Sequence, residues 1–239
     1  MATAAPKHDQ SKTGIIVGAS RGLGLGLACE FARRGWHVTA TARNAIIATE
    51  LADAVAASDG RIGVEEVDID RAESVDALAT HLAERRFDLV FINAGVAGPQ
   101  HQSVDAATPQ EIGALMYTNA IAPIRIAHRL LPLVADGGTV AFMSSHMGSI
   151  ADNRSGGMDL YRASKAALNS LTRGFVANDV RDRPIAVLTM HPGWVRTAMG
   201  GPDAPLAIEE SVAGLADVIE ASAPLGHRFL DYQGAELPW

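Results

Sequence analysis

The sequence predicts a doubly wound α/β fold, in which a parallel sheet of about seven strands carries helices on both faces. Two observations predict it. From Gly14 onward, short apolar runs rich in β-branched residues alternate with longer stretches of helical periodicity. A glycine-rich turn follows the first of these runs directly and opens a helix, as expected of a βαβ unit.

The predicted strands are short and apolar, and helices fill the intervals between them. The strands are residues 14–17, 37–41, 62–67, 89–93, 139–144, 185–191 and 228–231. One helix start is well marked, because Thr108 is a hydroxyl N-cap, Pro109 takes the first helical position and Glu111 completes a capping box. We predict that this helix covers residues 109–134 and that Pro123 bends it.

The composition indicates one domain and excludes several classes of partner. Residues 1–12 are polar and alanine-rich and are expected to form a disordered tail, whereas residues 13–239 contain no linker or internal repeat and are expected to form a single domain. The formal net charge of −7 argues against nucleic acid. No segment resembles a secretory signal or a membrane span, so we predict a cytoplasmic location.

The cysteine and the histidines give no sign of a metal or redox site. Cys29 lies in an apolar run and is expected to be a buried thiol. The eight histidines, His146 and His191 among them, lack metal-ligand spacing, so no metal is assigned.

The glycine-rich turn between the first strand and the first helix predicts a dinucleotide site. Here backbone N–H groups and a helix N-terminus can approach a pyrophosphate, and a side chain at the position of closest approach would obstruct it. A turn without function is the alternative interpretation, and the strand-turn-helix context weighs against it. The predicted contacts are Gly18, Ser20, Arg21, Gly22, Leu23 and Gly24.

The end of the second strand indicates which dinucleotide binds. An acidic residue there would bind the ribose 2'-hydroxyl and repel a 2'-phosphate, but this chain has Thr41, Ala42 and Arg43. Arg21 and Arg43 could both reach the adenosine ribose. The sequence therefore favours NADP over NAD, with solvated surface arginines as the alternative.

Tyr161 and Lys165 form a candidate acid/base pair. A spacing of four residues places the phenol and the ammonium on one face of a helix. A nearby cation favours the phenolate, so we expect Lys165 to lower the pKa of Tyr161 toward neutrality. By itself such a pair is common, and an ordinary helix with a packed tyrosine and a solvated lysine remains the alternative.

Three further motifs follow predicted strands, and with the turn and the Tyr-Lys pair they resemble the short-chain dehydrogenase/reductase family. They are Asn93-Ala94-Gly95, Ser144-Ser145 and the run Pro192-Gly193-Trp194-Val195-Arg196-Thr197. The resemblance covers residues 13–239. It implies a Rossmann-type domain and an enzyme that moves a hydride between nicotinamide and a carbonyl or alcohol.

The resemblance also implies a role for each motif residue. Ser145 would bind the substrate oxygen, Tyr161 would transfer the proton, Lys165 would also bind the nicotinamide ribose, and Asn119 would complete a proton relay. Ser144 stays open as the alternative serine, because neighbouring residues of a strand point to opposite sides. The implied cofactor contacts are Asp68 and Ile69 at the adenine, Asn93, Ala94 and Gly95 at the central ribose, and Pro192, Gly193, Val195 and Thr197 at the carboxamide.

Within the family, the loop after Ser145 and the chain's last residues resemble the sniffer and C-factor-like branch of carbonyl reductases. The segment after Thr197 is short, which predicts an open cleft. Met147, Trp194 and Met199 are expected to line it and to favour an apolar ketone, aldehyde or quinone. The branch keeps a second hypothesis open, a non-catalytic dinucleotide-binding signalling or regulatory protein. Apolar positions on residues 109–134 and 162–180 indicate a homodimer or homotetramer.

Overall fold

All strands of the described chain belong to one parallel sheet. The computed structural model describes residues 11–221 and 226–239, so residues 1–10 of the predicted tail lie outside the described residues. The strands are β1 (Thr13–Val17), β2 (His37–Ala42), β3 (Ile62–Glu66), β4 (Phe87–Ile92), β5 (Val134–Met143), β6 (Ala186–His191) and β7 (Gly226–Asp231). They are arranged in the order β3-β2-β1-β4-β5-β6-β7. This confirms the predicted doubly wound fold.

The helices cover both faces of the sheet. They are α1 (Gly22–Arg33), α2 (Thr49–Ala56), α3 (Ala72–His81), α4 (Pro109–Met116), α5 (Ala122–Leu130), α6 (Asp159–Phe175) and α7 (Ile208–Ala221). The central strands are buried on both faces, as parallel strands usually are, because helices pack against each side. Ile15 faces one buried cluster and its neighbour Ile16 faces the other, which shows how alternation along β1 supplies both cores.

The order of the strands places a crevice at the carboxyl ends of β1 and β4. The chain runs outward from β1 to β3 and then returns to the other side of β1, so the connections after β1 and β4 leave on opposite faces. Ligands of doubly wound sheets bind at such a switch point. The glycine turn follows β1, and residues 93–95 follow β4.

The long helix after Thr108 begins as predicted and is interrupted before Pro123. Thr108 and Glu111 form the expected capping box. A π-helical turn at Tyr117–Ile121 separates α4 from α5, since Pro123 cannot donate the regular helical bond and its ring displaces the preceding turn. The predicted end at residue 134 is wrong, because α5 stops at Leu130 and Val134 already begins β5.

Two local predictions are wrong. Strand β5 begins at Val134, five residues before the predicted start at 139, and the exposed residues Asp136 and Gly137 disguise its first half in the sequence. Cys29 is exposed, because the buried face of α1 consists of Gly24, Leu27, Ala28, Phe31 and Ala32. In the described chain, no helix combines the length and apolarity needed to cross a membrane.

Candidate active site

Tyr161 and Lys165 lie together at the start of α6, beside the end of β5. Tyr161 is half-buried, whereas Lys165 is buried and its ammonium donates to the Met143 carbonyl oxygen at 2.9 Å. The Lys165 Nζ lies 5.8 Å from the centre of the Tyr161 ring. The helix therefore brings the predicted pair to one face, and the lysine is anchored to the last residue of the strand that carries the serines.

The structure separates the two candidate serines. The Ser145 hydroxyl lies beside the Tyr161 phenol, where it acts to lower the pKa of that phenol. Ser144 points the other way, where its hydroxyl donates to Asn169 Oδ1 at 2.6 Å. Since the two residues follow the end of β5 on opposite sides, the geometry favours Ser145 as the serine that meets a substrate next to the phenol.

Burial dominates the electrostatics of the pair. It raises the pKa of Tyr161 to about 12, and the nearby Ser145 hydroxyl opposes this rise. Burial also lowers the pKa of Lys165 to about 8. The expected lowering of the Tyr161 pKa by Lys165 does not occur here, because burial raises that pKa and Lys165 is not among the groups that shift it.

Asn119 lies in the π-helical turn and is completely buried. Its amide donates to the Val96 carbonyl at 2.8 Å and to Ser164 Oγ at 3.0 Å, and its Oδ1 accepts from the Val96 N–H at 2.8 Å. The side chain thus holds the segment after β4. It meets Lys165 only across Gly95, where a Cβ would lie 3.2 Å from Asn119 Oδ1 and 3.5 Å from Lys165 Nζ.

The glycine turn has the geometry that a bound pyrophosphate needs. Gly22 has a φ of +58°, and a Cβ there would meet only the Thr197 methyl at 3.9 Å, while a Cβ on Gly24 would overlap the Gly18 carbonyl oxygen and lie 2.6 Å from Asn93 Nδ2. The N-cap Arg21 provides no side-chain cap, and the first turn of α1 contains no acidic residue. The free N–H groups and the partial positive charge at the N-terminus of α1 are therefore available to an anion.

The two arginines predicted to select NADP are exposed beside this turn. Arg21 and Arg43 have no carboxylate partner within residues 11–221 and 226–239. Thr41 at the tip of β2 is buried and accepts a hydrogen bond from the Gly18 N–H at 3.1 Å, so it shapes the turn. Nothing acidic occupies residues 41–43.

The sequence of this chain matches a known protein family. Residues 12–205 match the family model described as short chain dehydrogenase. The chain belongs to the short-chain dehydrogenase family. It is an oxidoreductase by that membership.

Known relatives place the dehydrogenase in the predicted branch. A carbonyl reductase from Pseudomonas aeruginosa in complex with NADP is 44% identical, with a TM-score of 0.89 over 96% of this chain and 100% of that one. The carbonyl reductase Sniffer of D. melanogaster is 30% identical, with a TM-score of 0.86 over 96% of this chain and 100% of that one. The C-signal protein of Myxococcus xanthus is 40% identical over 68% of this chain and 99% of its own length.

The remaining residues that were predicted to contact the cofactor differ in which of their atoms are accessible. Asn93 Nδ2 donates to the Gly18 carbonyl at 2.7 Å and so links the two strand ends. Asp68 Oδ1 accepts from the Asp70 N–H at 3.1 Å, an ordinary turn contact. Ile69 is only 5% exposed and packs in the core, which leaves only its backbone for an adenine. Ser20, Leu23 and Ala94 are half-buried.

The segment after β6 is short and is held by contacts within itself and with α7. Pro192 is buried and its carbonyl accepts from Ser211 Oγ at 2.6 Å, while buried Val195 bridges to Leu206. Thr197 Oγ1 accepts from the Gly200 N–H at 3.0 Å and its methyl faces Gly22. Gly193 has a φ of +82°. The run expected at the carboxamide therefore lies opposite the glycine turn.

The three predicted substrate residues have different surroundings. Trp194 and Met199 are 57% and 52% exposed on the short segment, and Trp194 Nε1 donates to the Gly200 carbonyl at 2.8 Å. Met147 instead lines a cavity of about 240 Å³ between the loop after β5 and α6, with Ile150 and Arg162 in its wall. Trp194 and Met199 are therefore better placed than Met147 to form an open apolar surface near the crevice.

Four residues at the site carried no clear sequence signal. Gln102 binds the backbone of Tyr161, and Asn169 binds Ser144. The rings of His146 and His191 lie 5.0 Å apart beyond β5 and β6, and burial together with His146 lowers the pKa of His191 to about 4. Their neighbours come from distant elements, which no local pattern reveals.

Proposed function

We propose that this dehydrogenase is an NADP(H)-dependent carbonyl reductase in which Tyr161 exchanges the proton and Ser145 binds the substrate oxygen. The observation that carries the proposal is the position of the Ser145 hydroxyl beside the Tyr161 phenol and next to buried Lys165, at the edge of the sheet where the glycine turn lies. Nicotinamide supplies or accepts the hydride when it is bound.

The protonation state of the phenol supports the reductive direction. With a pKa near 12, Tyr161 is a neutral acid at physiological pH. An alkoxide that forms as the carbonyl carbon gains a hydride is more basic than this phenolate, so proton transfer from Tyr161 is downhill. The Ser145 hydroxyl lies beside the phenol and would bind the same substrate oxygen as its charge develops.

The charges around the turn support NADP(H) as the cofactor. Arg21 and Arg43 are exposed cations next to the turn and would bind a 2'-phosphate through charge-assisted hydrogen bonds. The cofactor of the related Pseudomonas reductase agrees with this assignment. A small carbonyl compound is the substrate class, and exposed Trp194 and Met199 favour an apolar one.

A second candidate function is a dinucleotide-binding signalling protein that does not turn over. The likeness to the Myxococcus C-signal protein favours it. Against it, Asn119, Ser145, Tyr161 and Lys165 are all present, and the last three converge at the end of β5. We further propose one domain over residues 13–239, a homodimer or homotetramer and a cytoplasmic location.

Cofactor titration and a substrate panel test the proposal. We expect NADPH to bind more tightly than NADH, and the Arg21→Ala, Arg43→Ala double variant to lose that preference while NADH binding stays unchanged. NADPH oxidation should then proceed with apolar ketones, aldehydes or quinones and should collapse in Tyr161→Phe. Tyr117→Phe is the matched control, because the Tyr117 hydroxyl contacts Arg125. Tight NADPH binding without turnover of any compound would favour the signalling protein.

A further inference from the structure

The N-terminus of α6 lacks a cap of its own. The residue before the helix, Met158, has a left-handed φ of +55° and makes no side-chain cap. Arg162 donates the first intrahelical bond, to the Met158 carbonyl at 2.8 Å. The N–H groups of residues 159–161 therefore need partners from elsewhere, and Tyr161 is the third of them.

Gln102 supplies the partner for Tyr161 from a distant loop. Its Oε1 accepts from the Tyr161 N–H at 2.9 Å, and its Nε2 donates to the carbonyls of Ala97 at 2.7 Å and Pro99 at 2.8 Å. The amide can take only this orientation, because the reverse would set two donors face to face. One side chain thus joins the segment after β4 to the first turn of α6.

The conformation of Gln102 indicates that these contacts hold it in place. The residue is 9% exposed and has a φ of +51°, in the left-handed region that a glutamine rarely adopts. Surrounding contacts must compensate for such a backbone conformation. The segment it holds continues directly from Asn93–Gly95, where Asn119 and Lys165 meet across Gly95.

We propose that Gln102 is a positioning residue that fixes Tyr161 relative to the segment after β4 and so to the reacting groups in the crevice. The proposal rests on the proposed function, because its consequence for rate requires Tyr161 to transfer the proton. Misplacement of a reacting group by about 1 Å can reduce a rate by about 100-fold. The hydrogen bonds of Gln102 connect Tyr161 to the segment after β4 and so limit such displacement.

Two substitutions at Gln102 distinguish its hydrogen bond with Tyr161 from its hydrogen bonds with Ala97 and Pro99. One nearby substitution is the control. Gln102→Leu removes all three hydrogen bonds. Gln102→Glu keeps an acceptor for the Tyr161 N–H but, when ionised, cannot donate to Ala97 or Pro99. Gln100→Leu makes the same change two residues away, at an exposed side chain.

We expect both Gln102 variants to lower kcat at least tenfold while the Kd for NADPH stays within twofold, because Asn119 still holds Val96, next to the predicted cofactor contacts, when Ala97 and Pro99 are released. In Gln102→Leu the apparent pKa of the kcat profile should rise, since a displaced Tyr161 moves away from Ser145, which opposes the rise in its pKa. Gln100→Leu should match the wild type. An unchanged kcat and pH profile in Gln102→Leu would overturn the proposal. An unchanged kcat in Gln102→Glu would show that Gln102 only caps the helix, and would overturn the claim that its bonds with Ala97 and Pro99 position Tyr161.

Amide hydrogen exchange at Tyr161 gives a readout that needs no turnover. Exchange should accelerate in Gln102→Leu and stay at the wild-type rate in Gln102→Glu and Gln100→Leu. If the wild type turns over no carbonyl compound, the proposed function fails, and this exchange pattern still shows whether the contact exists. Equal exchange in the wild type and Gln102→Leu would refute the contact, and with it the inference, even in an active enzyme.

Discussion

Lys165→Met is expected to stabilise the folded protein while it removes activity. Burial lowers the pKa of Lys165 from its ordinary 10.5 to about 8. At ~1.4 kcal/mol for each pH unit, the buried ammonium costs ~3 kcal/mol of folding free energy at pH 7. Methionine gives up the hydrogen bond to the Met143 carbonyl, worth ~1 kcal/mol. The net gain is ~2 kcal/mol, or roughly 4 to 8 °C in Tm.

The stability that Lys165→Met gains over the wild type should decrease as the pH rises. Between about pH 8 and pH 10.5, the unfolded wild type holds a proton on Lys165 that the folded protein has released, so the wild type gains stability as the pH rises. Lys165→Met has no such group. The free energies of unfolding of the two proteins should therefore differ most at pH 7 and converge toward about pH 10.

Denaturant unfolding of both proteins at the two pH values measures this difference, with Lys12→Met as the control at an exposed lysine. The control should show no convergence. A variant that is less stable than the wild type at pH 7, or a difference that does not change with pH, would refute the account of Lys165 as a strongly desolvated cation. The same variant should lose turnover of carbonyl compounds.

The other predictions concern the serines, the glycine turn and Asn119. Ser145→Ala should lower kcat/KM by at least tenfold while Ser144→Ala has a smaller effect, measured by NADPH oxidation; the reverse order would make Ser144 the functional serine. Gly24→Ala should weaken NADPH binding at least tenfold, because its Cβ would overlap the Gly18 carbonyl. Gly113→Ala, in open space on α4, should leave binding unchanged and stabilise the protein by ~1 kcal/mol, which thermal unfolding can verify. Asn119→Ala should release Val96 and raise the Kd for NADPH, and calorimetry that finds an unchanged Kd would show that the amide is dispensable there.

The sequence predicted the fold because its signals are local and repeated. Alternating apolar runs identify buried parallel strands, and a glycine turn between strand and helix marks the first βαβ unit. The start of β5 was missed because Asp136 and Gly137 interrupt its apolar pattern before the strand enters the core. Cys29 was misplaced because an apolar run gives no helical phase, and α1 turns that residue to solvent.

The sequence proposes members for the candidate site but does not indicate their interactions. The spacing of four residues correctly brings Tyr161 and Lys165 together, since helix geometry alone decides it. Their pKa values depend on burial, which the spacing of the two residues in the sequence does not indicate. Gln102 was missed for a related reason, because its partner Tyr161 lies 59 positions away. A polar residue in a loop becomes significant only after the fold brings that partner to it.

Single-turnover reduction tests the central claim most directly. Purified protein loaded with NADPH is mixed with an apolar ketone, and nicotinamide absorbance is followed in the wild type and in Tyr161→Phe, with NADPH binding measured in both. The account predicts rapid oxidation with one alcohol formed per NADPH in the wild type, and a loss of about 100-fold or more in the variant at unchanged NADPH affinity. Equal rates in the two proteins would contradict the role of Tyr161 as the proton donor.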